Sequence, residues 1–117
     1  MKFKFENLII WQKGMVLAED VFQLTRNFTK EEMYNLTSQI MRTSDSIALN
    51  ISEGSIDQSN AEFKRFMGYA IRSLAEVVTC LHKAKNRKYI SYTQFDTYYE
   101  YSFNLMNMMI GFKRSIK

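Results

Sequence analysis

From Phe63 to Leu81 apolar side chains return every three or four residues, at Phe63, Phe66, Met67, Ala70, Leu74, Val77, Val78 and Leu81. This spacing follows the 3.6-residue period of an α-helix and lays one continuous oily stripe along it. Such a stripe must be covered by other secondary structure, and the rest of the chain argues against a sheet. The 117 residues contain no proline and only four glycines, which leaves few places where strands could turn. With 46% apolar residues the chain is long enough for one domain with its own core, and the expected class is all-α.

Helix starts are marked by a repeated device. Ser59-Asn-Ala-Glu62, Ser91-Tyr-Thr-Gln94 and Thr29-Lys-Glu-Glu32 each place a hydroxyl three residues before a carboxylate or amide, the pattern of a reciprocal capping box. They predict helices over about 60–86, 92–116 and 30–53. Gly54 is expected to end the last of these in a left-handed conformation, with a polar loop over 55–59. A further helix is expected over about 8–27, its core stripe being Trp11, Met15, Ala18 and Phe22, with Lys13, Glu19, Asp20 and Gln23 on the other side. Before it, the Lys/Phe alternation of Met1 to Asn7 suggests an extended arm that lays Phe3 and Phe5 on the bundle, with Asn7 as the cap of this first helix. Four helices of about 20 residues with short loops predict a single domain over 1–117, an antiparallel up-down-up-down four-helix bundle.

The stretch Gln39–Gly54 has two faces. Met33, Leu36, Ile40, Ile47 and Ile51 form a greasy strip, while Gln39, Arg42, Ser46, Asn50 and Glu53 form a polar one. Small residues at Ser38, Ser44, Ala48 and Ser52 let a neighbouring helix approach closely. The polar strip is read as a structural latch in which Arg42, Ser46, Asn50 and Glu53 engage Arg72, Ser73 and Glu76 on the next helix, with Arg42 or Asn50 bonding Glu76, or engage a neighbouring subunit. The functional alternative is contact with a ligand. Buried polar groups need partners, which favours the latch.

The last helix carries Phe95, Tyr98, Tyr99, Phe103, Leu105, Met106, Met109, Ile110 and Phe112, and these sweep well over half its circumference. A single core needs only about 100°. A second burial surface is implied, so a homo-oligomer is expected, the plainer alternative being a monomer with an untidy last helix. Reactive chemistry is not evident. His82 is the only histidine, Cys80 the only cysteine, and two residues apart on a helix they point to different sides. The glycines stand too far apart for a phosphate loop. No catalytic residue, metal or cofactor is expected, and the chain is read as not an enzyme. A lone cysteine suits a reducing compartment, and no apolar run approaches the ~18 residues of a membrane span, so a cytoplasmic protein is expected.

Ser46-Ile47, Asn50-Ile51 and Glu53-Gly54 resemble the Ser-Ile-Pro-x-Asn-Ile-Ala-Glu-Gly signature of the four-helix-bundle proteins encoded in intervening sequences of bacterial 23S ribosomal RNA genes. Phe5, Leu8 and Trp11-Gln12-Lys13 resemble that family's opening. Phe28 with Glu31-Glu32 and Tyr34-x-Leu36-Thr37-Ser38-Gln39 resemble its second-helix start. Its third helix is matched by Glu62-Phe63-x-Arg65-Phe66 with Ala70, Ser73-Leu74 and Glu76. The resemblance implies a bundle assembled as a homopentamer and, as the family name suggests, an association with RNA. Related proteins of diversity-generating retroelements assist a reverse transcriptase and its RNA as basic pentameric barrels. Thr29 and Ala48 stand where relatives often carry proline, and Arg72 where they commonly carry glycine.

A net charge of +4 permits an acidic partner without demanding one and falls short of a nucleic-acid signature; the placement of the basic residues gives the one functional lead. Arg65, Arg72 and Lys83 share the helix face opposite the core stripe, interrupted by Glu76, and Lys83, Lys85, Arg87 and Lys88 extend that line. Arg26 and Lys30 should lie at the same end. Repeated around a ring, such a strip would neutralise phosphates, with Tyr89 and Tyr92 beside it able to stack on bases. The plainer alternative is a solvated face whose cations complement the helix dipole. Two functions stand open: an RNA-associated accessory protein, its partner structured RNA or a nucleic-acid-handling protein, or a structural oligomer that docks a polypeptide.

Overall fold

The computed structural model describes residues 2–117, and among them every regular element is helical. Four α-helices carry the fold: α1 Ile9–Thr25, α2 Leu36–Ser55, α3 Asn60–Asn86 and α4 Tyr92–Ser115. Single 3-10 turns, Lys4–Asn7 and Lys30–Glu32, precede α1 and α2. The longest dimension, 43 Å, is close to that of the 27-residue α3 at about 1.5 Å per residue. Neighbours in sequence pack together, α1 on α2, α2 on α3 and α3 on α4, and α1 also meets α4. The α1–α2 and α3–α4 pairs therefore lie on opposite sides.

Helices α3 and α4 begin at their predicted caps. Ser59 Oγ accepts from the Glu62 amide at 3.1 Å, although Glu62 then turns to Arg65 and does not return the bond. Ser91 and Gln94 complete the reciprocal box, at 3.0 and 2.9 Å. The end of α3 is a Schellman closure. Tyr89 N–H donates to the Ala84 carbonyl at 2.9 Å and Lys88 N–H to that of Lys85 at 3.0 Å, which puts Lys88 in the left-handed region at φ 64°.

Elsewhere the local expectations need correction. The buried side of α1 is Ile10, Gly14, Leu17, Val21 and Leu24, whereas Met15 and Phe22 are exposed by 48% and 40%. The two stripes have the same period, and what selects between them is Gly14. A Cβ there would stand 3.1 Å from Ile47 Cγ2, so α1 can approach α2 closely only on that side. The amino-terminal segment is a 3-10 turn rather than an extended arm, with Phe3 mostly exposed and stacked on Phe5, which in turn meets Trp11. Leu8, not Asn7, occupies the cap position of α1. Met1 lies outside the described residues.

Helix α2 starts later than residue 30, because Thr29 makes no capping bond and Met33 is left exposed in a turn. Gly54 is not a left-handed terminus. It is helical, and a Cβ on it would meet Phe66 Cβ at 2.6 Å and Phe63 Cδ1 at 3.0 Å. Glycine is required there by the crossing of α2 over α3. The fully buried core draws on all four helices, with Leu17, Ile40, Ile47, Ile51, Leu74, Leu81, Leu105 and Met109 among its members. Tyr101 ties α4 to α1 by donating to the Lys13 carbonyl at 2.8 Å, with Lys13 Nζ above its ring. No described helix is long and apolar enough to cross a membrane.

Candidate functional site

Hydrogen bonds join α2 to α3 through Ser46, Ser73 and Glu76 of the expected latch together with Thr43, which the polar strip does not include. Thr43 Oγ1 is 3.1 Å from the Ser73 carbonyl, to which it donates, and 3.4 Å from Glu76 Oε2. Ser46 Oγ lies 2.8 Å from the Thr43 carbonyl and 2.6 Å from Ser73 Oγ, closing a chain of hydroxyls across the two helices. Asn50 bonds back to the Ser46 carbonyl within α2. Arg42, Glu53 and Arg72 are exposed, and it is Thr43 that reaches Glu76, not Arg42 or Asn50. Sequence reasoning passed over Thr43, whose position one residue from Arg42 places it on the inner edge of the polar strip.

The cationic end is organised around Glu32, which is only 7% exposed. One guanidinium nitrogen of Arg87 sits 3.1 and 2.9 Å from its two carboxylate oxygens, and Tyr89 OH donates to Oε2 at 2.9 Å. Thr29 Oγ1 is 3.1 Å from the same phenol, and since that proton is committed to Glu32, Thr29 donates. The Leu36 amide and Asn35 Nδ2 complete the shell at 3.4 and 3.1 Å, so the carboxylate also serves the open amino-terminus of α2. These bonds, Tyr89's foremost, hold the Glu32 carboxyl below its ordinary value despite the opposing effect of burial. Phe28 stacks on the Tyr89 ring at 5.1 Å.

Of the basic residues singled out from sequence, Arg87 is thus spent on Glu32, and Tyr89 is a packing and hydrogen-bonding residue. Lys85 lies 3.9 Å above the Phe95 ring and near that of Tyr92. Arg65 pairs with Glu62 and, like Arg72, leans on Tyr69. Lys83 and Lys88 remain exposed, and the Glu32–Arg87 and Thr29–Tyr89 bonds bring Arg26 and Lys30 to the same end. Over 26–32 and 83–88 six cations face two carboxylates, an excess equal to the whole chain's net +4. Two exposed tyrosines flank this end, Tyr92 exposed by 76% with Lys85 near its ring, and Tyr34 by 92%. Tyr34 carried no periodic signal.

Cys80 is buried and its thiol is pushed up by that burial, which keeps it protonated and unreactive. His82 is exposed and packs edge-on against Phe95 and Tyr99, so the two point apart.

None of the curated proteins matches the chain. A crystal structure at 1.70 Å of a protein of unknown function from the S23 ribosomal protein family of Bacteroides thetaiotaomicron VPI-5482 superposes with a TM-score of 0.83. Identity is 22%, over 92% of this chain and 96% of that one, a likeness of fold. The family model described as 23S rRNA-intervening sequence protein matches residues 6–111. The chain, with its four helices and the Ser46 to Gly54 motif, belongs to the 23S rRNA-intervening sequence protein family.

Proposed function

We propose that the chain is a non-enzymatic accessory protein, an up-down-up-down bundle that assembles as a homo-oligomer, a pentamer by family resemblance, and binds structured RNA in the bacterial cytoplasm. The observation that carries this is the cationic end: Arg26, Lys30, Lys83 and Lys88 lie together where the nearest buried acid is already neutralised by Arg87. Clustered cations release counterions when they meet phosphates, and exposed rings such as Tyr34 and Tyr92 suit unpaired bases. Fluorescence anisotropy with a structured RNA tests it. Lys83→Glu with Lys88→Glu lowers affinity at least tenfold while helix content is unchanged, and equal binding by this variant would refute the assignment of the site. The exposed Leu49 and Phe103 support the second reading, an oligomer whose partner is a polypeptide, which stands if RNA does not bind even at low salt.

A further inference from the structure

Exposed apolar side chains line two grooves on opposite sides of the bundle, Met15 and Leu49 in one and Tyr99 and Phe103 in the other, and the rims of the two differ in charge. Between α1 and α2 a groove of about 340 Å³ is lined by Trp11, Met15, Ala48 and Leu49. Its rim is acidic: Asp45 lines it, and partial burial first, then the nearby charge of Glu19, raises the carboxyls of both Asp45 and Asp20. Between α3 and α4 a second groove of about 230 Å³ is lined by Ala75, Val78, Tyr99, Phe103 and Met106. The buried Ser102 hydroxyl, which has no hydrogen-bond partner, also lines it. This groove continues along the same helix pair into a hollow lined by Ile71 and Ile110 with three cations, Lys64, Lys113 and Arg114. The acids of α4, Asp96 and Glu100, lie in its first half, away from that end.

An acidic-rimmed apolar face opposite a basic-rimmed one is self-complementary only head to tail. We propose that the α1–α2 face of one copy docks into the α3–α4 face of the next, a heterologous contact resting on the homo-oligomer reading above and specifying which surfaces meet. Two like faces would bring like charges together at their rims; unlike faces pair Asp45 and Glu19 with the Lys64, Lys113 and Arg114 end. A contact of this kind propagates until the rotation between copies closes a ring. It leaves Lys83 of α3 and Lys88, just past the end of that helix, outside the contact, since neither lines either groove.

Complementation of two disabled faces provides the test. Leu49 and Phe103 are each 57% exposed, so Leu49→Glu and Phe103→Glu disable one face apiece without entering the core. Light scattering coupled to size exclusion should find the unaltered protein oligomeric and each variant monomeric, while an equimolar mixture gives a particle of two chains, each variant contributing its intact face. That particle also shows that both variants fold. An oligomeric unaltered protein whose variants stay oligomeric, or whose mixture stays monomeric, overturns the face assignment and leaves the oligomer reading intact. Dimers formed by one variant alone would show like faces meeting and would equally overturn it. A monomeric unaltered protein at high concentration removes both.

Discussion

Replacing Gly54 by alanine probes the crossing of α2 and α3, the largest helix contact in the fold. Alanine is favoured over glycine within a helix by about 1 kcal/mol. Against this, the added carbon would stand 2.6 Å from Phe66 Cβ, an atom fixed to its backbone, and 3.0 Å from Phe63 Cδ1. Carbon atoms rest at about 3.5–4.0 Å, so the two helices must part by roughly 1 Å. Overpacking of this kind costs about 1–3 kcal/mol, which outweighs the propensity gain and predicts a net loss of about 1 kcal/mol. Gly111 is the control, since nothing lies within 4 Å of the position its Cβ would take. Alanine there should stabilise by about 0.5–1 kcal/mol. Urea denaturation followed by helical circular dichroism, at one protein concentration for all variants, measures the difference. A Gly54→Ala protein as stable as Gly111→Ala would refute the close approach.

Three other perturbations have defined outcomes. Because the Glu32 carboxyl is held below its ordinary 4.5 in the folded protein, its contribution to stability is present above that pH and is lost as pH falls through the folded value; Glu32→Gln should flatten this part of an acid-unfolding curve, and an unchanged acid limb would deny the network its role. Lys88→Gly relieves a left-handed backbone at φ 64° and should raise stability by about 1 kcal/mol in urea, whereas Lys88→Ala should not. Thr43→Val removes the donor to the Ser73 carbonyl and the hydroxyl beside Glu76 and should cost about 1–2 kcal/mol, while Arg42→Ala should stay within about 0.5 kcal/mol; the reverse ranking by thermal denaturation would restore Arg42 to the latch.

Where signals are local, the sequence was a sufficient guide. Ser59 and Ser91 start α3 and α4, and the end of α3 at Asn86 falls where its cations gather. Where two local solutions share a pattern, it was not. Trp11-Met15-Ala18-Phe22 and Ile10-Gly14-Leu17-Val21 have the same spacing, and larger side chains favoured the wrong one. Burial of a helix is decided by how closely a neighbour can come, and Gly14, the least hydrophobic member, permits that approach. Thr29-x-x-Glu32 satisfies every requirement of a capping box, yet Arg87 and Tyr89, more than fifty residues away, offer the carboxylate a charge and a phenol in place of one amide. Such long-range competition leaves no trace in local spacing. The same bonds withdraw Arg87 from the basic cluster that spacing alone suggests, and the late start of α2 leaves Tyr34 held out in a turn.

The salt dependence of RNA affinity tests the functional account most directly. For the protein titrated with one structured RNA across a range of salt concentrations, the logarithm of the association constant should fall linearly and steeply with that of salt, and Lys30→Glu or Lys88→Glu should make the slope shallower. Affinity indifferent to salt, or no association at the lowest salt, would contradict a role built on the cations gathered around Glu32.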